Sequence, residues 1–289
     1  ENAIENYKQA IILNPTDSDT HSNLANALRK SGRPEDALIY YKQATILSPL
    51  NAEMHNNLGA ALQESGKFNE AAVSCHKAIT LNPKFAQAHN NLGTVYKKQH
   101  KPEDGIKWFK KAIELNPDYA EAYNNRGVAY DSKNMLNEAI EQYKMAIENN
   151  SEYAEAYNNL GATYGKKVMF TQSISQYKKA ISINPEYAEA HYNIGIAYIK
   201  KKMYDNAIAS FRKTIELNPD DESAHYNLAI VYSKRRMYDE AILEYKKVIE
   251  SNPGLPDVHY NLGIVYREKG MYLQARREVS LYKKLNNRK

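Results

Sequence analysis

The sequence predicts an all-α chain, an α-solenoid of eight 34-residue helix-turn-helix units plus one leading partial unit. Three observations carry that expectation. Asn-Pro recurs at Asn14-Pro15, Asn82-Pro83, Asn116-Pro117, Asn184-Pro185, Asn218-Pro219 and Asn252-Pro253. Ser48-Pro49 and Asn150-Ser151 fill the two remaining places, so every step is 34 residues. Inside one unit, Asn184 to Leu217, two amphipathic stripes follow each other. His191, Ile194, Gly195 and Tyr198 fall at i, i+3, i+4 and i+7, and Ala207, Ile208, Phe211 and Ile215, at i, i+1, i+4 and i+8, make the stripe of a second helix. Gly195 and Ala207 are small where large side chains would be expected, which lets two helix backbones approach closely.

Taken in order, residues 1–13 match the second helix of a unit, with Ala3, Tyr7 and Ala10 aligned to Ala207, Phe211 and Thr214. Their own first helix is missing, so an apolar stripe is expected to be exposed there and to favour self-association or fraying. Eight helix pairs follow, starting at Asn14, Ser48, Asn82, Asn116, Asn150, Asn184, Asn218 and Asn252. Asn218 suits a left-handed residue at a helix end, and Pro219 cannot continue the helix. Such a hairpin can bury its apolar faces only against its neighbours. The stacked helices are expected over 14–270, a capping helix over 271–285 and a frayed tail over 286–289, all in one domain, 1–289. The cap is read from Arg276, which stands where Leu38, Ile106, Ile140, Ile174, Ile208 and Ile242 stand in earlier units, and from Lys283 in place of Ile249.

Composition excludes little but is consistent with this. A mean hydropathy of −0.71 beside 43% hydrophobic residues fits a chain with much exposed surface. The net charge of +5 is modest for 289 residues and gives no argument for nucleic acid. No apolar run is long enough to span a membrane, and no signal peptide is visible. The single cysteine, Cys75, occupies the place of Phe109, Tyr143, Tyr177 and Phe211, where a buried, inert thiol is expected. It forms no internal disulfide, so an oxidising compartment is neither required nor excluded, and a cytoplasmic location is preferred.

The pattern His191-x2-Ile194-Gly195-x2-Tyr198, then Ala207-x3-Phe211, then Pro219 resembles the tetratricopeptide repeat, with His in the tryptophan place. The resemblance covers essentially the whole chain and extends to bacterial and archaeal scaffolds of that family. It implies a right-handed superhelix and a concave groove lined by the first helices in which a peptide or partner protein lies. Separately, no phosphate loop, zinc motif or nucleophile–base pair stands out in the sequence, so a non-catalytic protein without cofactor is expected.

One column of that groove is Asn23, Asn57, Asn91, Asn125, Asn159, Asn193, Asn227 and Asn261, one per unit. An Asn amide offers an acceptor and a donor, so it can hold a peptide's backbone without reading its side chains. An alternative role for the same residue is to cap or space the helices. The neighbouring column begins with Ser22, Asn56, Asn90, Asn124 and Asn158 and continues with Tyr192, Tyr226 and Tyr260. One turn on, Ile196, Ile230 and Ile264 follow smaller residues such as Ala60 and Ala162. Aromatic and aliphatic anchors of this kind dominate binding energy; core packing is the alternative use for some of these side chains.

Other groups carry less. His21, His55, His89, His191, His225 and His259 form a column, but each is one unit from the next. Metal ligands must meet at one ion about 2 Å away, so core packing is expected instead. Lys97-Lys98, Lys166-Lys167, Lys200-Lys201-Lys202 and Lys234-Arg235-Arg236 form a basic rim, expected to be solvated, and acidic residues such as Glu121 and Glu189 line the same surface. No nucleic-acid partner is expected. Arg126 stands where neighbours have Leu or Ile and is expected to snorkel beside carboxylates, and Gly105 in place of Ala71 or Ala139 should weaken its helix by about 1 kcal/mol. A carboxylate-clamping chaperone-tail receptor is disfavoured, because the groove columns lack the Lys and Arg that the resemblance to that subfamily would require. The reading is therefore an interaction scaffold. The alternative is the substrate-recognition arm of a larger enzyme, since the asparagine ladder is similar to that of protein O-linked N-acetylglucosamine transferases.

Overall fold

The computed structural model describes residues 2–287, and every regular element among them is an α-helix. They fall into two compact units, Glu1–Ser151 and Glu152–Lys289. The first holds α1 (Asn2–Leu13), α2 (Ser18–Lys30), α3 (Pro34–Leu47), α4 (Ala52–Glu64) and α5 (Phe68–Leu81). It continues with α6 (Ala86–Lys98), α7 (Pro102–Leu115), α8 (Ala120–Ser132) and α9 (Leu136–Asn149). The second holds α10 (Ala154–Lys166), α11 (Phe170–Ile183), α12 (Ala188–Lys200) and α13 (Tyr204–Leu217). It ends with α14 (Glu222–Lys234), α15 (Tyr238–Ser251), α16 (Pro256–Glu268) and α17 (Tyr272–Asn286). Asn286, expected in the tail, thus belongs to α17, and Arg288 and Lys289 lie outside the described residues.

Within each unit the helices pack in sequence: α2 on α3, α3 on α4, α4 on α5, and likewise α12 on α13 and α13 on α14. This is the consecutive helix-pair packing of a tetratricopeptide solenoid, as the period predicts. The cores follow the stripes. Leu24, Leu28, Tyr41, Leu62 and Val95 belong to one buried cluster, and Ile194, Phe211, Leu228, Tyr245 and Leu262 to another. Each fully buried aromatic such as Phe211 or Tyr245 contributes about 1.5–3 kcal/mol. In α1, Ile4 is buried and Tyr7 and Ile11 pack on the Leu24 cluster, so most of its stripe already has a partner in α2. Its exposed large apolar side chains are Ile12 and Leu13, and Ala3 of the expected stripe is exposed as well.

The close approach expected of the small residues is real. A Cβ on Gly195 would lie 2.8 Å from Cε1 of Phe211. One on Gly105 would lie 2.9 Å from the Gly93 carbonyl oxygen, so Gly105 lets α6 and α7 come together as well as weakening α7.

The left-handed residue sits elsewhere than expected. Asn218 is extended, at φ −138° and ψ 89°. Positive φ occurs instead inside each hairpin, two residues past the first helix: at Gly32, Gly66, His100, Asn134, Val168, Lys202, Arg236 and Gly270, with φ between 58° and 82°. The Asn–Pro joint is a four-residue turn without a left-handed residue, closed for example by the Tyr187 N–H on the Asn184 carbonyl at 3.1 Å, and it leads from a second helix into the next first helix. The left-handed turn lies within the hairpin, where the backbone N–H of residues such as Met169 returns to the Tyr164 carbonyl at 2.9 Å.

Candidate functional site

The predicted ladder is a set of bonds between repeats. In the first unit, Asn91 Nδ2 donates to Asn56 Oδ1 at 2.9 Å and Asn125 Nδ2 to Asn90 Oδ1 at 3.1 Å, and Asn57 Nδ2 meets Ser22 Oγ at 3.5 Å. In the second unit, Asn193 donates to Asn158 Oδ1 at 3.1 Å. Asn227 and Asn261 donate to the hydroxyls of Tyr192 and Tyr226 at 3.1 and 2.8 Å. Each bond spans 35 residues, one repeat plus one residue, and so ties neighbouring first helices in register.

These contacts sort the sequence-predicted residues. Asn23 is exposed, and the other seven ladder asparagines, Asn159 included, are half-buried. Asn56, Asn90, Asn124 and Asn158 are buried, at 0–1% exposure, which takes them off any surface a ligand can touch. Their amides are hubs instead. Asn90 Nδ2 lies 3.0 Å from Glu121 Oε1 and 3.4 Å from the Tyr119 hydroxyl, and Asn158 Nδ2 lies 3.1 Å from Glu189 Oε1. Two residues read as lining the acidic surface thus close the network. Tyr192, Tyr226, Ile196 and Ile230 are half-buried and pack on the second unit's core, with the Tyr192 ring edge-on to Phe211 at 5.7 Å. Burial raises the pKa of the Tyr192 and Tyr226 hydroxyls, which stay neutral and accept from the ladder. Tyr260 is 47% exposed and Ile264 half-buried.

Part of six ladder amides remains uncommitted. Among the described residues, no donor meets Oδ1 of Asn57, Asn91, Asn125, Asn193, Asn227 or Asn261. Asn227 uses its Nδ2 twice, on Tyr192 and on the Ser223 carbonyl at 2.9 Å, and so has only the acceptor left. Around it lies a concavity of about 310 Å3 lined by Tyr192, Tyr226, Glu222, Pro256 and Asp257. Two carboxylates, tyrosine rings and an amide oxygen make this a place for a donor or a cation.

The histidine column has a role that its spacing alone hid. Each of the six column histidines has its Nε2 2.9–3.3 Å from the carbonyl of the residue six positions earlier, from Pro15 for His21 to Pro253 for His259. A carbonyl only accepts, so Nε2 carries a proton, and the ring staples the joint to the first helix. The basic rim is partly paired across repeats. Arg235 meets Asp205 at 3.1 Å, and at the same repeat position, outside the rim as read from the sequence, Lys133 meets Glu103 at 2.9 Å and Lys269 meets Asp239. Arg126 finds an amide, not the expected carboxylate: its Nε donates to Gln142 Oε1 at 2.8 Å and its guanidinium lies 5.6 Å from the Tyr123 ring. Burial of Cys75 pushes its thiol up to about 12, the state of an inert thiol. No described helix is long and apolar enough to cross a membrane.

Comparison with known proteins agrees with this geometry. A family described as "TPR repeat" matches residues 1–32, 25–66, 129–168, 170–202 and 237–270, more than half of the chain. "Tetratricopeptide repeat" families match 52–85, 86–119 and 188–221, and also 108–141 and 210–243. Comparison with curated protein sequences gives no match. Among solved structures, a chain of the APC/C hetero-tetramer Cut9–Hcn1 is similar at a TM-score of 0.71 and 20% identity, over 90% of this chain and 51% of that one. The present chain thus spans about half the length of that relative. MamA is 31% identical at a TM-score of 0.50, over 56% of this chain and 95% of that one. PilF of Pseudomonas aeruginosa is 17% identical at a TM-score of 0.65, over 76% and 96%. Repeat period, hairpin packing and family matches agree, and the chain belongs to the tetratricopeptide-repeat family.

Proposed function

We propose that this protein is an interaction scaffold whose ladder asparagines hold the backbone of an extended peptide or partner segment. The observation that supports the reading is the half-committed amide. Six ladder residues give an N–H to the neighbouring repeat and keep an Oδ1 that no described donor meets, on half-buried side chains. An unmet acceptor asks for a donor. A peptide backbone supplies one N–H per residue whatever its side chains, so the scaffold reads main chain first. The concavity beside Asn227, with Glu222 and Asp257, adds a preference for a basic side chain at one place. Burial keeps Asn56, Asn90, Asn124 and Asn158 from contact, and Asn56, Asn90 and Asn158 support the gripping amides.

The test is selection from a random peptide library on the full chain, followed by calorimetry with Asn91→Ala/Asn125→Ala. Loss of two hydrogen bonds to the peptide weakens binding by about 0.5–1.5 kcal/mol each. Unchanged affinity with a lowered melting temperature would make the ladder purely a spacer between helices.

A further inference from the structure

The second unit has a cavity of about 590 Å3 between α16 and α17, lined by Tyr260, Ile264, Arg267, Arg276, Val279 and Lys283 among others. The repeat defines what belongs there. The hairpins α12–α13 and α14–α15 each seat the first helix of the following repeat on the corresponding face. On α16 and α17 that seat carries no described helix, and its chemistry is altered. Arg276 and Lys283 stand where Ile242 and Ile249 stand one repeat earlier, and Val279 replaces Tyr245. The smaller valine opens the floor of the seat. Tyr260 is exposed, whereas its counterpart Tyr226 has its hydroxyl taken by Asn261 of the following repeat.

The protein itself shows what such a seat binds. Arg267 occupies the same repeat position as Arg29. Arg29 Nη1 pairs at 3.1 Å with Glu64, the last residue of α4, the first helix of the next repeat. Among the described residues Arg267 pairs only with its exposed neighbour Glu268, at 3.6 Å. Among the described residues neither Arg276 nor Lys283 pairs with a carboxylate, and the nearby Glu278 is engaged by His259 Nδ1 at 2.7 Å. The seat is a first-helix site with an apolar floor and three cations on its walls. An ordinary apolar repeat helix would bury Arg276 and Lys283 without partners, which is costly.

We propose that this seat takes an acidic amphipathic helix of a partner protein, docked as α4 docks beside Arg29. An apolar side chain would enter the cavity over Val279 and Ile264, and carboxylates would meet Arg267, Arg276 and Lys283. This end seat is separate from the ladder, and the proposal does not depend on the groove binding peptides.

A helix-stapled, fluorescein-labelled peptide with the sequence of residues 51–66 and Leu62→Glu is the probe. Leu62 shares a buried cluster with Leu38, which stands at the Arg276 position, so the substitution puts a carboxylate on the docking face of the probe helix. Anisotropy on the full chain should show saturable binding that Arg267→Glu/Arg276→Glu weakens by about ten-fold or more. Lys283→Glu should weaken it too, and Asn193→Ala/Asn227→Ala should leave it unchanged, with helical circular dichroism preserved throughout. Absence of saturable binding, or equal binding by the charge-reversed chain, would overturn the proposal. So would Arg276-dependent binding of phosphatidylserine vesicles, or Arg276-dependent self-association in sedimentation, without peptide binding; these would assign the seat to a lipid surface or to a second copy.

Discussion

Asn227 donates through Nδ2 to the hydroxyl of Tyr192, 35 residues earlier, at 3.1 Å. The same position in the first unit uses Asn56 or Asn90 as the acceptor for Asn91 or Asn125. Amide carbonyl and phenol oxygen are interchangeable here because the ladder needs only an acceptor one repeat back. The tyrosine form adds ring packing on the core, and the asparagine form adds a donor to Glu121 or Glu189.

Removing the Tyr192 hydroxyl takes away the acceptor of Asn227 together with the hydroxyl's bond to Ser223. Tyr192→Phe keeps the ring against Phe211 and should lower stability by about 0.5–1.5 kcal/mol, read as a shift of the urea midpoint at unchanged slope. A Tyr192→Phe chain as stable as the parent would show that the ladder bond adds nothing.

The hairpin turn gives a second expectation. Val168 has φ 62°, a region costly for a β-branched side chain, while Gly66 takes φ 73° in open space at the same repeat position. Val168→Gly should therefore stabilise the chain by about 1 kcal/mol, and Gly66→Ala should destabilise it by a similar amount. Thermal melts of the two variants moving in the same direction would contradict the turn assignment.

Arg126 replaces a core leucine and is desolvated without a carboxylate partner, which lowers its pKa. Arg126→Leu should be neutral or stabilising by about 1 kcal/mol, because an apolar side chain of similar volume removes the desolvation cost. Arg126→Ala should destabilise, because it removes the packing of the stem as well. Chemical denaturation of both variants checks the pair.

The buried phenols and thiol predict alkaline sensitivity. Burial raises Tyr177 and Tyr187 from 10.0 to about 12 and Cys75 from 9.0 to about 12, and it raises Tyr119 and Tyr245 as well. The folded chain holds these protons where the unfolded chain releases them. Their contribution is present below the ordinary values and is lost as pH rises from 9.0 towards about 12. Urea midpoints across that window should fall steadily. A flat profile would show that these groups are already solvated in the native state.

Period and stripe made the helices and their pairwise packing legible in the sequence, because a 34-residue repeat with stripes at i, i+3, i+4 and i+7 leaves each hairpin no other way to bury its apolar faces. The left-handed turn was misplaced because Asn218-Pro219 is a strong punctuation signal, whereas His100, Val168 and Arg236 at the true turn carry none. The Asn90 column was read as groove surface because one helix alone does not show which residues the next repeat covers. The 35-residue offset between Asn125 and Asn90 would have revealed it, since residues one repeat plus one apart face each other. The histidine-to-proline link was likewise visible as a constant six-residue separation, from His21 and Pro15 onward.

The central claim is that ladder carbonyl oxygens receive peptide backbone N–H groups. Stacked helices lie about 8–10 Å apart and an extended chain advances about 3.3 Å per residue, so one ladder Asn meets about every third peptide residue. The most direct measurement is an ester scan of a library-selected peptide, replacing one backbone N–H at a time by oxygen and titrating each analogue against the full chain. The expected result is a loss of affinity that recurs about every third residue and disappears in Asn91→Ala/Asn125→Ala or Asn193→Ala/Asn227→Ala. Affinity that is indifferent to every ester, or that follows side chains alone, would contradict it.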